Sequence, residues 1–139
     1  MVKRINNIPL EQIVAKVASL GVPGLVLVIA INATGLAGGA AIMAALASIG
    51  PGGALMGIAT LGVISLVSQG IVTYGTETIL DGVIKELYLR GETKETIKQK
   101  IQAYPISKKM KLALYDRLDS FTLDKYVMVA QVNVLSENT

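Results

Sequence analysis

The chain has no cysteine, no histidine and no tryptophan, and a single phenylalanine. Without cysteine there are no disulfides and no thiolate chemistry, and the redox compartment stays open. Without histidine the commonest general base and metal ligand is missing. Aromatic residues make up 4% of a chain that is 52% hydrophobic, so any core must be packed closely from Ala, Gly, Val and Leu. Charge is scarce too, and unevenly so. From Val17 to Thr76, sixty residues contain no Asp, Glu, Lys or Arg; all 23 charged residues lie outside that stretch. Soluble domains carry a charge about every four residues. Such a gap calls for burial on nearly every side, in protein or in lipid.

What the stretch does contain is glycine, twelve of the fourteen, and alanine. Leu25 to Ile49 is apolar or small apart from Asn32, Thr34 and Ser48, and Gly50-Pro51-Gly52-Gly53 then breaks it. Ala54 to Tyr74 is apolar again. At about 1.5 Å per residue, helices over 25–49 and 54–74 each cross a hydrocarbon core of roughly 30 Å. The simplest reading is a helical hairpin over 25–74 with its tip at Gly50, Pro51 and Gly52. Its ten and nine Leu, Ile or Val residues per segment give only about −3 to −6 kcal/mol of insertion free energy each. Such a hairpin suits a membrane. It also suits a soluble shell from which it inserts later.

Small residues recur at helical spacing. Gly35 and Gly39 form one GxxxG pair, Gly53 and Gly57 another, and Ala33, Ala37, Ala41 and Ala45 follow one face. These stripes, with Gly62, are candidate packing positions for close helix approach in lipid. A competing reading takes Leu25–Ile31 as a strand and Gly35–Gly39 as the turn of a dinucleotide-binding unit. It lacks the acidic residue about twenty positions on, the next acid being Glu77, and so lacks the context such a motif needs.

The flanks are amphipathic. Residues 8–20 read as a short helix with Pro9 in its first turn, Asn7 as a cap, and Leu10, Ile13, Val14 and Val17 on one face. Residues 78–120 read as charged helices: Thr78–Arg90 with an Ile79, Leu80, Val83, Ile84, Leu87, Tyr88 face, continuing the apolar helix without a break; then a helix capped by Thr93; then one capped by Ser107, with Met110, Leu114 and Leu118 in line and Leu112 and Tyr115 widening the stripe. Lys108, Lys109 and Lys111 form a basic cluster suited to lipid headgroups. Glu77 and Asp81, one turn apart, mark the water boundary. Residues 121–139 form a tail in which Val127 to Val134 fits helix or strand; the balance leans to helix, because no partner strand is visible in the sequence.

No catalytic, metal or cofactor set can be assembled from these residue types, and no enzyme is expected. The net charge of +3 is too small to argue for a nucleic-acid partner. The expectation is one all-α domain, an apolar Gly/Ala-rich hairpin flanked by amphipathic helices, that forms pores in or permeabilises a lipid membrane as a homo-oligomer, an effector of defence or cell death. Lys3, Arg4, Lys16 and Lys85 flank the hairpin and place both termini on the cytoplasmic side. The alternative is a soluble, self-assembling interaction module with the apolar stretch buried in an oligomer.

The segment Ala33–Gly70, with Gly35, the Ala40–Ala47 run, Gly52, Gly53, Gly57 and Gly62, resembles the small interferon-inducible 6-16 family, whose core is a small-residue helix, a glycine cluster and a second small-residue helix. The charged region after Thr76 departs from that family. The resemblance implies an intracellular, membrane-associated protein linked to immunity or cell death, and it carries over no catalytic residues. The architecture is also similar to the buried hairpin of pore-forming toxins, by analogy alone.

Overall fold

A computed structural model describes residues 8–47 and 53–121, with 46–47 and 53–61 as backbone only. Among the described residues the fold is all-helical, without strands. Six helices follow one another: α1 (Leu10–Ala18), α2 (Val22–Ala47), α3 (Gly53–Tyr74), α4 (Thr76–Leu89), α5 (Lys94–Ala103) and α6 (Lys108–Ser120). The tail beyond Phe121, Asn7 and the tip residues Gly50, Pro51 and Gly52 lie outside the described residues.

Helix α1 starts one residue after Pro9, whose extended backbone ends the preceding segment and whose carbonyl accepts from the Gln12 and Ile13 amides. It buries Ile13, Val14, Val17 and Ala18. Gly21, at φ +79°, turns the chain. Helix α2 then begins at Val22, earlier than the Leu25 expected, because Pro23 sits in its first turn, where a missing N–H costs nothing. Gly24 lets α1 and α2 meet backbone to backbone: a Cβ there would lie 2.1 Å from the Val17 carbonyl oxygen.

The core is organised around the first half of α2. Leu25 through Ile31 are all buried, although a helix in a small bundle ordinarily shows one face to water. This is achieved because α2 touches each of the other five helices. Fully burying each Val, Leu or Ile contributes about 1.5–3 kcal/mol. The lack of charge here is therefore met by protein for about two turns. At Asn32 the burial ends, and residues 32–37 are exposed.

The amphipathic helices form the cover. Helix α4 turns Ile79, Leu80, Val83, Ile84 and Leu87 inward, α5 turns Ile97 and Ile101, and α6 turns Met110, Leu114 and Leu118. Leu112 does not widen the α6 stripe; it faces water at 55% exposure. Nor does α4 continue α3: Gly75, at φ +93° and ψ 149°, separates them. Tyr74 and Thr76 fix that corner, donating to the Ile8 carbonyl at 2.6 Å and to Asn32 Oδ1 at 2.8 Å. The caps expected at Thr93 and Ser107 are in place. Thr93 accepts from the Thr96 amide in a reciprocal box, and Ser107 accepts from the Met110 amide. Pro105 holds Tyr104 extended and so ends α5. Phe121 closes the end of the shell edge-on against Tyr88, ring centres 5.7 Å apart.

Candidate membrane-spanning helix and its charged rim

Residues Val22–Ala45 of α2 form a 24-residue stretch long and apolar enough to cross a membrane. Its apolar window is 44% buried, so more than half of it lies outside the protein's own core. In α3 the apolar stretch described with its side chains is the shorter Gly62–Tyr74. The two helices run together as a hairpin, with Gly39 and Met43 of α2 and Val63, Ile64, Val67 and Gly70 of α3 buried. Leu36 and Val72 are left 50% and 86% exposed.

Helix α2 is not one rod. Gly35, at φ +82° and ψ −174°, breaks it into an inner arm, Val22–Thr34, and an outer arm, Leu36–Ala47. Gly35 brings no other helix of this chain close: a Cβ there would meet nothing within 4 Å. Gly62 is likewise open, with no neighbour for a Cβ to meet. Gly39 is crowded, but by Ile31 of its own helix, whose Cγ1 would stand 2.5 Å from a Cβ. Gly53 and Gly57 lie where only the backbone of α3 is described. The glycines that bring different helices close are Gly24, Gly70 and Gly82. A Cβ on Gly70 would come 2.7 Å from Ile79 Cδ1, and one on Gly82 2.7 Å from Val14 Cγ2. GxxxG spacing missed them because each has its neighbour on a helix that is distant in sequence or across a turn.

The acids thought to mark the water boundary are instead gathered by one cation. Arg117 of α6 places Nε 2.9 Å from Asp81 Oδ1 and Nη1 3.5 Å from Glu77 Oε1. The Nε and Oδ1 atoms are both shielded from water and meet as an ion pair outside hydrogen-bond geometry. Spacing along one helix signalled Glu77 and Asp81 as neighbours; nothing in it signalled a partner 36 residues later.

Charges on α5 and α6 are mostly spoken for. Lys94 and Lys98 reach Asp119 at 3.2 and 2.7 Å, and their hydrogen bonds hold its carboxyl below the usual range. Burial would raise Glu92, but hydrogen bonds from Lys100 and Thr96 outweigh it and hold it low. Burial pushes the Tyr88 and Tyr104 hydroxyls up. Within the expected headgroup cluster, Lys111 donates to the Gln102 carbonyl at 2.9 Å and ties α6 to the end of α5. Lys108 and Lys109 remain exposed at the start of α6, beside exposed Leu112. The start of a helix is where its dipole disfavours cations, so an anion is welcome there.

Among the described residues, no group of acids could hold a metal ion. A groove of about 100 Å³ between α1 and α4, lined by Leu10, Glu11, Val14, Gly82, Lys85 and Glu86, is well below the roughly 300 Å³ of a small-molecule site. No protein-family model, no curated protein and no solved structure matches the chain.

Proposed function

We propose that the protein is a membrane-active helical effector. In this reading the α2–α3 hairpin enters the bilayer, and α1 and α4–α6 shelter its inner part beforehand. One observation carries the reading: a membrane-length apolar helix is only 44% buried by its own chain. An apolar segment of that length exposed to water is unfavourable, and lipid or other copies of the hairpin would cover it. Lys108 and Lys109, with Leu112 between them and the core-facing Leu114, form a rim suited to anionic headgroups. Assembly of several hairpins would make the membrane permeable, and a role in defence or cell death is what the resemblance to the 6-16 family would imply.

The test is flotation with vesicles containing anionic lipid, joined to dye release from the same vesicles. Binding with release supports a permeabilising effector. Binding without release reduces the role to a membrane-bound protein. Protein that stays in solution as a large particle and ignores vesicles transfers the reading to a soluble assembly, in which the outer arm of α2 is covered by neighbouring copies.

A further inference from the structure

We propose that Gly35, Gly38 and Gly39 form a hinge that holds α2 bent in the sheltered state and straightens it into one continuous helix on insertion. Three observations made at separate residues meet here. Gly35 occupies φ +82°, ψ −174°, a conformation that essentially only glycine adopts. A Cβ on Gly38 would lie 1.9 Å from Thr34 Oγ1 and 2.3 Å from Thr34 Cβ. A Cβ on Gly39 would lie 2.5 Å from Ile31 Cγ1. Thr and Ile are stiff at χ1, so neither neighbour can swing aside freely. The bend thus requires glycine at all three positions, for two different reasons. Thr34 adds to it by donating to the Ala30 carbonyl at 2.7 Å, an i−4 bond that bends helices.

A straight helix reverses each preference. Thr34 and Gly38, four apart, then hold their Cβ positions about 5–6 Å from each other, and Ile31 and Gly39, eight apart, stand about 12 Å apart along the axis; both contacts relax, and alanine becomes better than glycine. Length gives the hinge its purpose. The inner arm of 13 residues and the outer arm of 12 are each about 20 Å long, short of the roughly 30 Å hydrocarbon core. Val22–Ala45 as one rod is about 36 Å. A non-helical residue at mid-bilayer would also leave backbone groups unpaired in lipid. The hinge begins just past the end of burial: Ile31 is 6% exposed, and residues 32–37, with Gly35 among them, are exposed, so the sheltered part of α2 gives way to its outer arm there.

The vesicle arm of the test rests on the membrane reading; the solution arm does not. The chain has no cysteine, so Ser19→Cys with Ala44→Cys gives one clean pair for spin labels and a pulsed electron-paramagnetic-resonance distance. Gly35→Ala meets no side chain, so its effect is that of backbone conformation alone. In solution, Gly35→Ala and Gly38→Ala should each move the distance distribution to longer values, as should anionic vesicles with the parent protein. Leu36→Pro, which clashes with the Asn32 carbonyl in a straight helix and is tolerated at a helix start, should hold the short distance on vesicles and reduce dye release. Gly75→Ala, a second positive-φ glycine in open space, should leave the distance unchanged. Folded alanine variants that keep the short distance overturn the hinge, as does equal lengthening by Gly75→Ala. Parent protein that floats with vesicles at its short distance overturns the hinge and leaves membrane binding standing. Parent protein that does not float overturns the membrane reading, and the solution distances still decide the hinge.

Discussion

Arg117 Nε lies 2.9 Å from Asp81 Oδ1, both atoms shut off from water, and this pair ties the last described helix to α4 over the buried arm of α2. Removing one side of a shielded pair leaves the other desolvated. Arg117→Met should therefore lower the unfolding free energy by about 1–3 kcal/mol. The double variant Asp81→Asn/Arg117→Met should lose less than the sum of the singles. Urea unfolding of the four proteins measures the coupling, and strict additivity would show the contact to be idle.

Glycine substitutions should separate by position. Gly24→Ala forces a Cβ against the Val17 carbonyl at 2.1 Å, and either α1 or α2 must move. A loss of about 2–4 kcal/mol is expected, in the range of overpacked or backbone-strained sites. Gly62→Ala meets nothing and should gain about 0.5–1 kcal/mol, the helix preference for alanine. Thermal unfolding of the two variants in parallel reads opposite signs. The same sign in both would refute the assigned packing.

Acid should weaken the shell in a defined window. The folded-state pKa values of Asp119 and Glu92 are both held low by lysines, so their stabilisation is fully present above the unfolded carboxylate range of about 4. It is lost as pH falls through their lower folded values. Unfolding free energy measured from pH 5 down to pH 2 should decline. Asp119→Asn with Glu92→Gln should flatten that decline while lowering the value at pH 7.

Vesicle affinity should follow charge at the start of α6. A lysine near an anionic surface contributes about 1 kcal/mol, so Lys108→Gln/Lys109→Gln should weaken binding by roughly 30-fold. Lys111→Gln should loosen the α5–α6 corner instead, since its ammonium is already engaged by Gln102. Flotation at two salt concentrations distinguishes them, and equal loss from both would dissolve the distinction.

Fold class and inward faces were legible in the sequence because periodicity is local. Ile79, Leu80, Val83, Ile84 and Leu87 stand three or four apart, and so do Met110, Leu114 and Leu118. Ser107 and Thr93 announce their helices because a cap acts within three residues. The glycines were not legible. Gly35, Gly62 and Gly70 look alike in sequence, yet one bends a helix, one faces open space and one presses on Ile79 and Ile13. The difference comes from backbone angle and distant neighbours, which spacing does not encode. Arg117 was missed for the same reason: an ion pair across 36 residues leaves no periodic trace.

The complete burial of Leu25–Ile31 has a consequence in time. Much of the cover over that arm comes from α4, α5 and α6, which begin at Thr76, and the shell closes only with Phe121. At about 5–20 residues per second, a ribosome needs several seconds to make the roughly ninety residues between Ile31 and Phe121. Throughout that interval the most apolar part of the chain exists without much of its wrapping. If the hairpin enters a bilayer as proposed, its fate during synthesis is a race between that bilayer and helices not yet made, and slowing translation after residue 75 should shift the outcome toward the membrane.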